Sequence, residues 1–339
     1  MISTLKRIET DCTDPYRNLA AEKLLTLDVR EGECILFLWQ NRHTVVIGRN
    51  QNAWEECSVR QLEADGGYLA RRLSGGGAVY HDLGNLNFSF LVRKADYDPE
   101  KQSDVIRRAA EKLGIAARRT GRNDLEAGGR KFSGNAYYET RGRCCHHGTV
   151  MIDVDTEALI RYLTVSGGKL QSKGVSSVRS RVINLKEICP DITINRLKDA
   201  IIGAFGELYG LRVQPLEAGR LSETDILRET EAFSSVDWLF PPRIPFNAVL
   251  ENRCEWGGIR LELCVSGERV ERAECVSDAM DEGLICRIRE ALPGCPYCGK
   301  ELAARVTAAA SADEDAVTGT EMRIRIGRDI AELLRAQIP

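Results

Sequence analysis

The run Arg71-Arg72-Leu73-Ser74-Gly75-Gly76-Gly77-Ala78-Val79-Tyr80-His81-Asp82 sets two cations directly before a triple glycine. Consecutive glycines lose much entropy on ordering, so a folded chain keeps them where its backbone turns sharply or lies against something. Glycine lets main-chain N–H groups approach an anion, and arginine adds forked, charged donors. The chemistry on offer is a cradle for a phosphate or carboxylate. A glycine-rich turn flanked by solvated arginines fits the same residues. The spacing is not that of a P-loop, because Ala78-Val79 stand where Lys-Ser/Thr would follow, and no interrupted glycines open a helix. Residues with strand preference flank the glycines (Val79, Tyr80, Phe88, Phe90), which implies a strand–loop–strand arrangement.

A second cluster lies downstream. Thr120-Gly121-Arg122-Asn123-Asp124-Leu125 precedes Gly128-Gly129-Arg130-Lys131-Phe132-Ser133-Gly134-Asn135. The Gly-Gly pair reads as a hairpin turn that delivers Lys131 near Asn123-Asp124. Asn123 and Asp124 could equally form an Asx turn with exposed side chains. His81 with Asp82 could orient a substrate or act as a base, or the ring could be buried and hydrogen-bonded. Ser74 could donate to a ligand or cap the turn. Cys144-Cys145-His146-His147 are metal-friendly types, but neighbours on a strand face opposite ways, so four in a row do not close a tetrahedron. Cys295-Pro296-Tyr297-Cys298 copies a redox dithiol motif but follows a helix and Pro293-Gly294, and reads first as coincidence and second as an incidental surface disulfide.

The elements that position these residues follow from pattern and punctuation. Helices are expected over 15–29, from about Trp54, and over 99–113, 156–163, 193–209 and 222–231. Strands are expected over 34–39, 44–47, 68–72, 87–92, 148–154, 246–253, 259–265 and 269–276. Residues 166–186 are polar and rich in Gly and Ser. With Lys169, Lys173, Arg179 and Arg181 they suit a lid over an anionic ligand, or a linker. Pro241-Pro242-Arg243-Ile244-Pro245 suits a domain boundary and a hinge. The stretch Ala303 to Thr320 is small and polar and is expected to be mobile.

The 339 residues suffice for a large core and for two domains. A net charge of −3 implies no general polyanion surface, hence no nucleic acid. The first residues lack an apolar signal core and no run approaches a membrane span, so a cytoplasmic location and reduced cysteines are expected, with no membrane partner.

Taken together, Arg71 to Asn85, Gly121 to Leu125, Arg130 to Tyr137, His146-His147-Gly148-Thr149 and Lys173 to Leu185 resemble the lipoate–protein ligase A family, part of the biotin/lipoate ligase superfamily. The segment from Trp256-Gly257-Gly258 to Ser277-Asp278 is similar, more loosely, to the family's small accessory domain. The resemblance implies an α+β fold, with a large mixed-sheet catalytic domain over 1–243 and a small C-terminal α+β accessory domain over 244–339. It implies that lipoate attacks ATP to give lipoyl-AMP, and that an acceptor lysine then takes the lipoyl group. Arg72, Gly77, Ala78, Val79, Tyr80, Lys131, Asn123 and Asp124 would hold the ATP or adenylate. Lys131, Arg72, Ser74, Gly76, His81 and His147 would hold lipoate. Lys131 would be catalytic, and Asp124 would contact Mg²⁺. The implied partners are lipoyl-domain proteins (the E2 subunits of 2-oxoacid dehydrogenases and the glycine cleavage H protein), and a monomer is expected. Some relatives carry a basic residue where Tyr138 stands, so an anion contact from that position is not carried over. The rival readings are a lipoyl or octanoyl transferase with weak or no activation step, working through a cysteine thioester or on preformed adenylate, and a non-catalytic module that binds lipoate or adenylate.

Overall fold

The computed structural model describes residues 1–120, 124–164, 181–312 and 319–338. Asn123 and most of the expected lid, residues 166–180, lie outside them. The chain divides into two compact units. One comprises Met1–Val46, Trp54–Ala70 and Ala78–Leu239; the other comprises Ile47–Ala53, Arg71–Gly77 and Phe240–Pro339.

The first unit is built on an eight-stranded sheet. Its strands, with those of a three-stranded neighbour, are β1 (Thr4–Glu9), β2 (Glu33–Trp39), β3 (Thr44–Ile47), β4 (Tyr68–Arg71), β5 (Val79–His81), β6 (Asn85–Arg93), β7 (Ala117–Thr120), β8 (Asp124–Ala127), β9 (Arg130–Thr140), β10 (Arg143–Met151) and β11 (Val213–Pro215). The large sheet runs β11-β1-β2-β6-β10-β9-β8-β7, and β4-β3-β5 form the small one. β1 pairs in parallel with both β2 and β11, while β6, β10, β9 and β8 pair antiparallel, so the sheet is mixed. The strands that flank the glycine run lie on either side of β3 rather than pairing with each other.

Helices cover both faces of the large sheet. α1 (Pro15–Asp28) starts as its sequence dictates. Pro15 occupies the first turn, and the Asp14 carboxylate accepts from the N–H groups of Tyr16 and Arg17. On the buried side of α1, Asn18, Glu22 and Thr26 are spaced four apart. Two short helices follow, α2 (Ala53–Glu56) and α3 (Val59–Ala64), where one was expected. The break comes at Cys57, which bridges to Leu163, while Ser58 N–H donates to Tyr162 O. α4 (Pro99–Lys112) is capped by Asp98, α5 (Thr156–Tyr162) by Asp155 and α6 (Ile194–Tyr209) by Thr193. α7 (Glu223–Ser234) and α8 (Val236–Leu239) complete the unit. β10 begins five residues earlier than Gly148 and takes in the whole Cys-Cys-His-His run. It ends at Met151 because the N–H groups of Ile152 and Asp153 both turn to Gly84 O.

In the second unit β12 (Ala248–Cys254), β13 (Gly257–Ser266) and β14 (Arg269–Ser277) form an antiparallel meander. α9 (Glu282–Ala291), α10 (Gly299–Ser311) and α11 (Thr320–Gln337) bury Leu284, Ile288, Leu302, Val306, Ile330 and Leu334 in one core with the sheet. The expectation of mobility from Ala303 is wrong as far as Ser311. Alanine is the strongest helix former, and Ala303, Val306 and Ala310 form the buried face of α10. Ala310 packs against Gly327, where an added Cβ would stand only 2.4 Å from Ala310 Cβ. Among the described residues no helix is long and apolar enough to cross a membrane.

Candidate active site

The glycine run falls within the second unit as far as Gly77. Arg71 is buried, and its Nη1 donates to the carbonyls of Gly48, Arg49 and Gln51 at 3.2, 2.9 and 2.6 Å. Burial pushes its pKa down to about 10. Arg72 donates from Nε to Ser74 Oγ (3.0 Å) and from Nη2 to Gly75 O (2.7 Å) and Gly77 O (2.8 Å). Both arginines therefore shape the loops 48–51 and 74–77 through backbone carbonyls. Gly76 takes a left-handed φ of 86°, and its N–H donates to Ala279 O at 3.2 Å. A Cβ on Gly75 would meet Ala279 O at 2.2 Å, so no larger residue fits there. Asn50 completes the seat, donating from Nδ2 to Glu282 O (3.1 Å) and accepting from Ser277 N–H (2.9 Å). Burial pushes the neighbouring Glu282 carboxyl up to about 8, opposed by Arg49 and Arg287.

Lys131 belongs to the first unit. Gly128 and Gly129 carry φ of 58° and 77°, as a tight two-residue hairpin requires. Beyond them Leu125 pairs with Ser133 but Glu126 pairs with Lys131, so Phe132 is the extra residue of a β-bulge. The bulge reverses the side-chain alternation and brings Lys131 to the face of Asp124 and Gly134. Lys131 Nζ lies 2.7 Å from Asp124 Oδ1. A Cβ at Gly134 would stand 2.8 Å from that Nζ, so the glycine gives the lysine room to lie across the strand. Main-chain bonds pin Lys131 further, from its N–H to Arg181 O and from Ile183 N–H to its carbonyl. This also anchors the described end of the expected lid.

Register carries the site across the sheet. Asp124, Gly134, Thr149, Asn87 and Trp39 are successive partners on five strands and share one face. The next row on that face runs Ala136, His147, Ser89 and Phe37. α1 covers it. The Glu22 carboxylate accepts from Ser89 Oγ at 2.5 Å and pairs with His147 Nδ1 at 2.9 Å. Trp39 Nε1 donates to Ser89 Oγ, and Tyr138 OH meets Thr26 Oγ1. His81 stands edge-on to Trp39 and contacts Asn41 through Nδ1. Tyr80 is buried; Ala78 and Val79 are half-buried. The Asp82 carboxylate accepts from the N–H groups of Gly84 and Asp155, so it fixes the turn.

The Cys-Cys-His-His run splits as alternation requires. His146 faces α4 and α6, between Gln102 and Asn135. Burial lowers its pKa to about 3, so the ring is neutral. Nδ1 lies 3.0 Å from Gln102 Oε1 and Nε2 lies 3.1 Å from Asn135 Oδ1, and a neutral ring has a single N–H to donate to one of them. Burial pushes the Cys144 thiol up to about 12 and the Cys145 thiol well above its ordinary value. Donor atoms of Glu22, Cys145 and His147 lie within 4.8 Å of one another. Sequence reasoning missed Glu22, Ser89 and Trp39. The available signal was the polar stripe Asn18, Glu22, Thr26 on an otherwise core-facing helix.

Residues 14–206 match the family model of the lipoyl protein ligase A/B catalytic domain, and residues 243–318 match that of the bacterial lipoate protein ligase C-terminus. Among solved structures, P. falciparum LipL1 in complex with lipoate is 26% identical, with a TM-score of 0.81, over 97% of this chain and 99% of that one. The bi-partite lipoate protein ligase of Thermoplasma acidophilum, described with its E2 lipoyl domain, is 27% identical, with a TM-score of 0.63, over 72% and 99%. A lipoate-protein ligase A bound with ATP is 26% identical, with a TM-score of 0.61, over 70% and 98%.

Proposed function

The chain belongs to the lipoyl protein ligase A/B catalytic-domain family, and from that premise we propose that it is an ATP-dependent, AMP-forming lipoate–protein ligase. The observation that carries this reading is Lys131, held by a bulge and an absent Cβ at the head of a row that ends in a buried polar network. A carboxylate attacking the α-phosphate brings two anions together, so positioned cations and N–H donors dominate the catalysis. Lys131 meets the lipoate carboxylate and the phosphate. Arg72, Ser74 and Gly76 to Tyr80 shape the nucleotide side, and His81 and His147 flank the acid. Asp124 offers the single carboxylate that Mg²⁺, which takes the rest of its ligands from phosphates and water, would need. The ion would neutralise phosphate charge. In this reading residues 1–243 carry the catalysis and 244–339 the accessory role. An acceptor lysine of a lipoyl domain, as in 2-oxoacid dehydrogenase E2 subunits or the glycine cleavage H protein, then attacks the mixed anhydride.

Cysteine-thioester transfer is the less favoured reading, because Cys144 and Cys145 are held as neutral thiols. Pyrophosphate release from ATP and lipoate tests the proposal. The wild type should release pyrophosphate in a lipoate-dependent manner, and Lys131→Ala should lose about 10²–10³ in rate while remaining folded. Lipoate-independent release, or a folded Lys131→Ala protein at near-normal rate, would sink the assignment.

A further inference from the structure

Asn87 occupies the row between Thr149 and Trp39. Its side-chain oxygen accepts from Asn85 Nδ2 at 3.0 Å, which leaves its own amide nitrogen to donate. The residue is 1% exposed, and Nδ2 meets no acceptor among the described residues. Buried donors are nearly always paired, so one that the fold leaves over points to a ligand. Lys131 lies over Gly134, two strands from Asn87; at about 4.8 Å per strand the amide is roughly 10 Å away, close to the length of lipoic acid from carboxylate to ring. A chain whose carboxylate meets Lys131 therefore ends beside Asn87, with Ser89 and His147 on the next row and Glu22 of α1 bonded to both. A methyl terminus there offers no acceptor, whereas sulfur is a weak one.

Resting on the lipoate reading above, we propose that Asn87 is a specificity residue: its Nδ2–H donates to a sulfur at the distal end of the bound acid and selects the dithiolane-bearing chain over octanoate. Titration calorimetry of the full chain with lipoate and with octanoate, without ATP, reads this directly. The wild type should prefer lipoate by about tenfold or more, the scale on which sites with a buried donor discriminate. Asn87→Leu should remove the preference by weakening lipoate and sparing octanoate. Asn87→Ala should do the same and replaces the leucine variant if thermal unfolding shows that it does not fold. Equal losses for both acids, or a wild type without preference, would overturn the proposal and leave the amide a role in the fold alone. A wild type that releases no pyrophosphate but prefers lipoate in the calorimeter, with that preference lost in Asn87→Leu, would sink the ligase reading and still support Asn87.

Discussion

His146 is enclosed between two side-chain amides, and its depressed pKa of about 3 ties stability to pH. In the unfolded chain the ring takes up a proton near 6.5. Below that value the unfolded state binds more protons than the folded one, so stability falls as pH drops from 6.5 toward 3. Between pH 7 and 5 this one ring should cost about 2 kcal/mol. Urea unfolding of wild type and His146→Gln at both values checks it: the wild type should lose that much more than the variant, and parallel losses would mean the ring is not held neutral. The two cysteines in the same strand lead to a different expectation. Neutral thiols are poor nucleophiles, so Cys144→Ser and Cys145→Ser should keep adenylate formation and transfer within about threefold. An acyl thioester found on either cysteine by mass spectrometry would restore the transferase reading. At this scale residue types and spacing set Lys131 beside Asp124, and the family resemblance added His147. The sequence did not name Asn87, because nothing local to that strand tells a buried polar group from an exposed one, and Glu22 could be read only from the polar stripe it forms with Asn18 and Thr26.

The element that matters most is the hairpin of β8 and β9. Its turn and the closeness of Lys131 to Asp124 were legible, since Gly128-Gly129 is a strong local signal. The bulge at Phe132 was not. A bulge is defined by the partner strand, and register between strands cannot be read along one of them. The same limit hid the five-strand row. Gly134→Ala tests the element as a device for aiming Lys131. The added Cβ would meet the flexible tip of the lysine rather than backbone, and the glycine φ is one that alanine accepts. Stability should change by less than about 1 kcal/mol while pyrophosphate release falls about tenfold or more. A large drop in melting temperature, or an unchanged rate, would refute the aiming role. Helix α10 teaches the converse: small and polar residues from Ala303 suggested a mobile stretch, and alanine propensity with one facing glycine made it core as far as Ser311.

For the molecule as a whole, the compact unit that holds the C-terminal hundred residues also holds two early loops, 47–53 and 71–77. The proline-rich segment could be seen in the sequence, but the docking of Gly76 on Ala279 could not, because it joins residues remote along the chain. Gly75→Ala should destabilise by about 1–3 kcal/mol, since the new Cβ meets the backbone oxygen of Ala279, which cannot yield. Gly77→Ala, where a Cβ would touch nothing within 4 Å, should leave stability near wild type. Equal unfolding midpoints for the two variants would contradict the close approach. The same docking sets a timetable for biosynthesis. Asn50 must wait for Glu282, 232 residues later, which at bacterial-to-eukaryotic elongation rates is roughly 10–50 s. Through that interval the glycine loop emerges from the ribosome without the partner that fixes its shape, so the nascent chain reaches its final loop geometry only after Ala279 and Glu282 have been made.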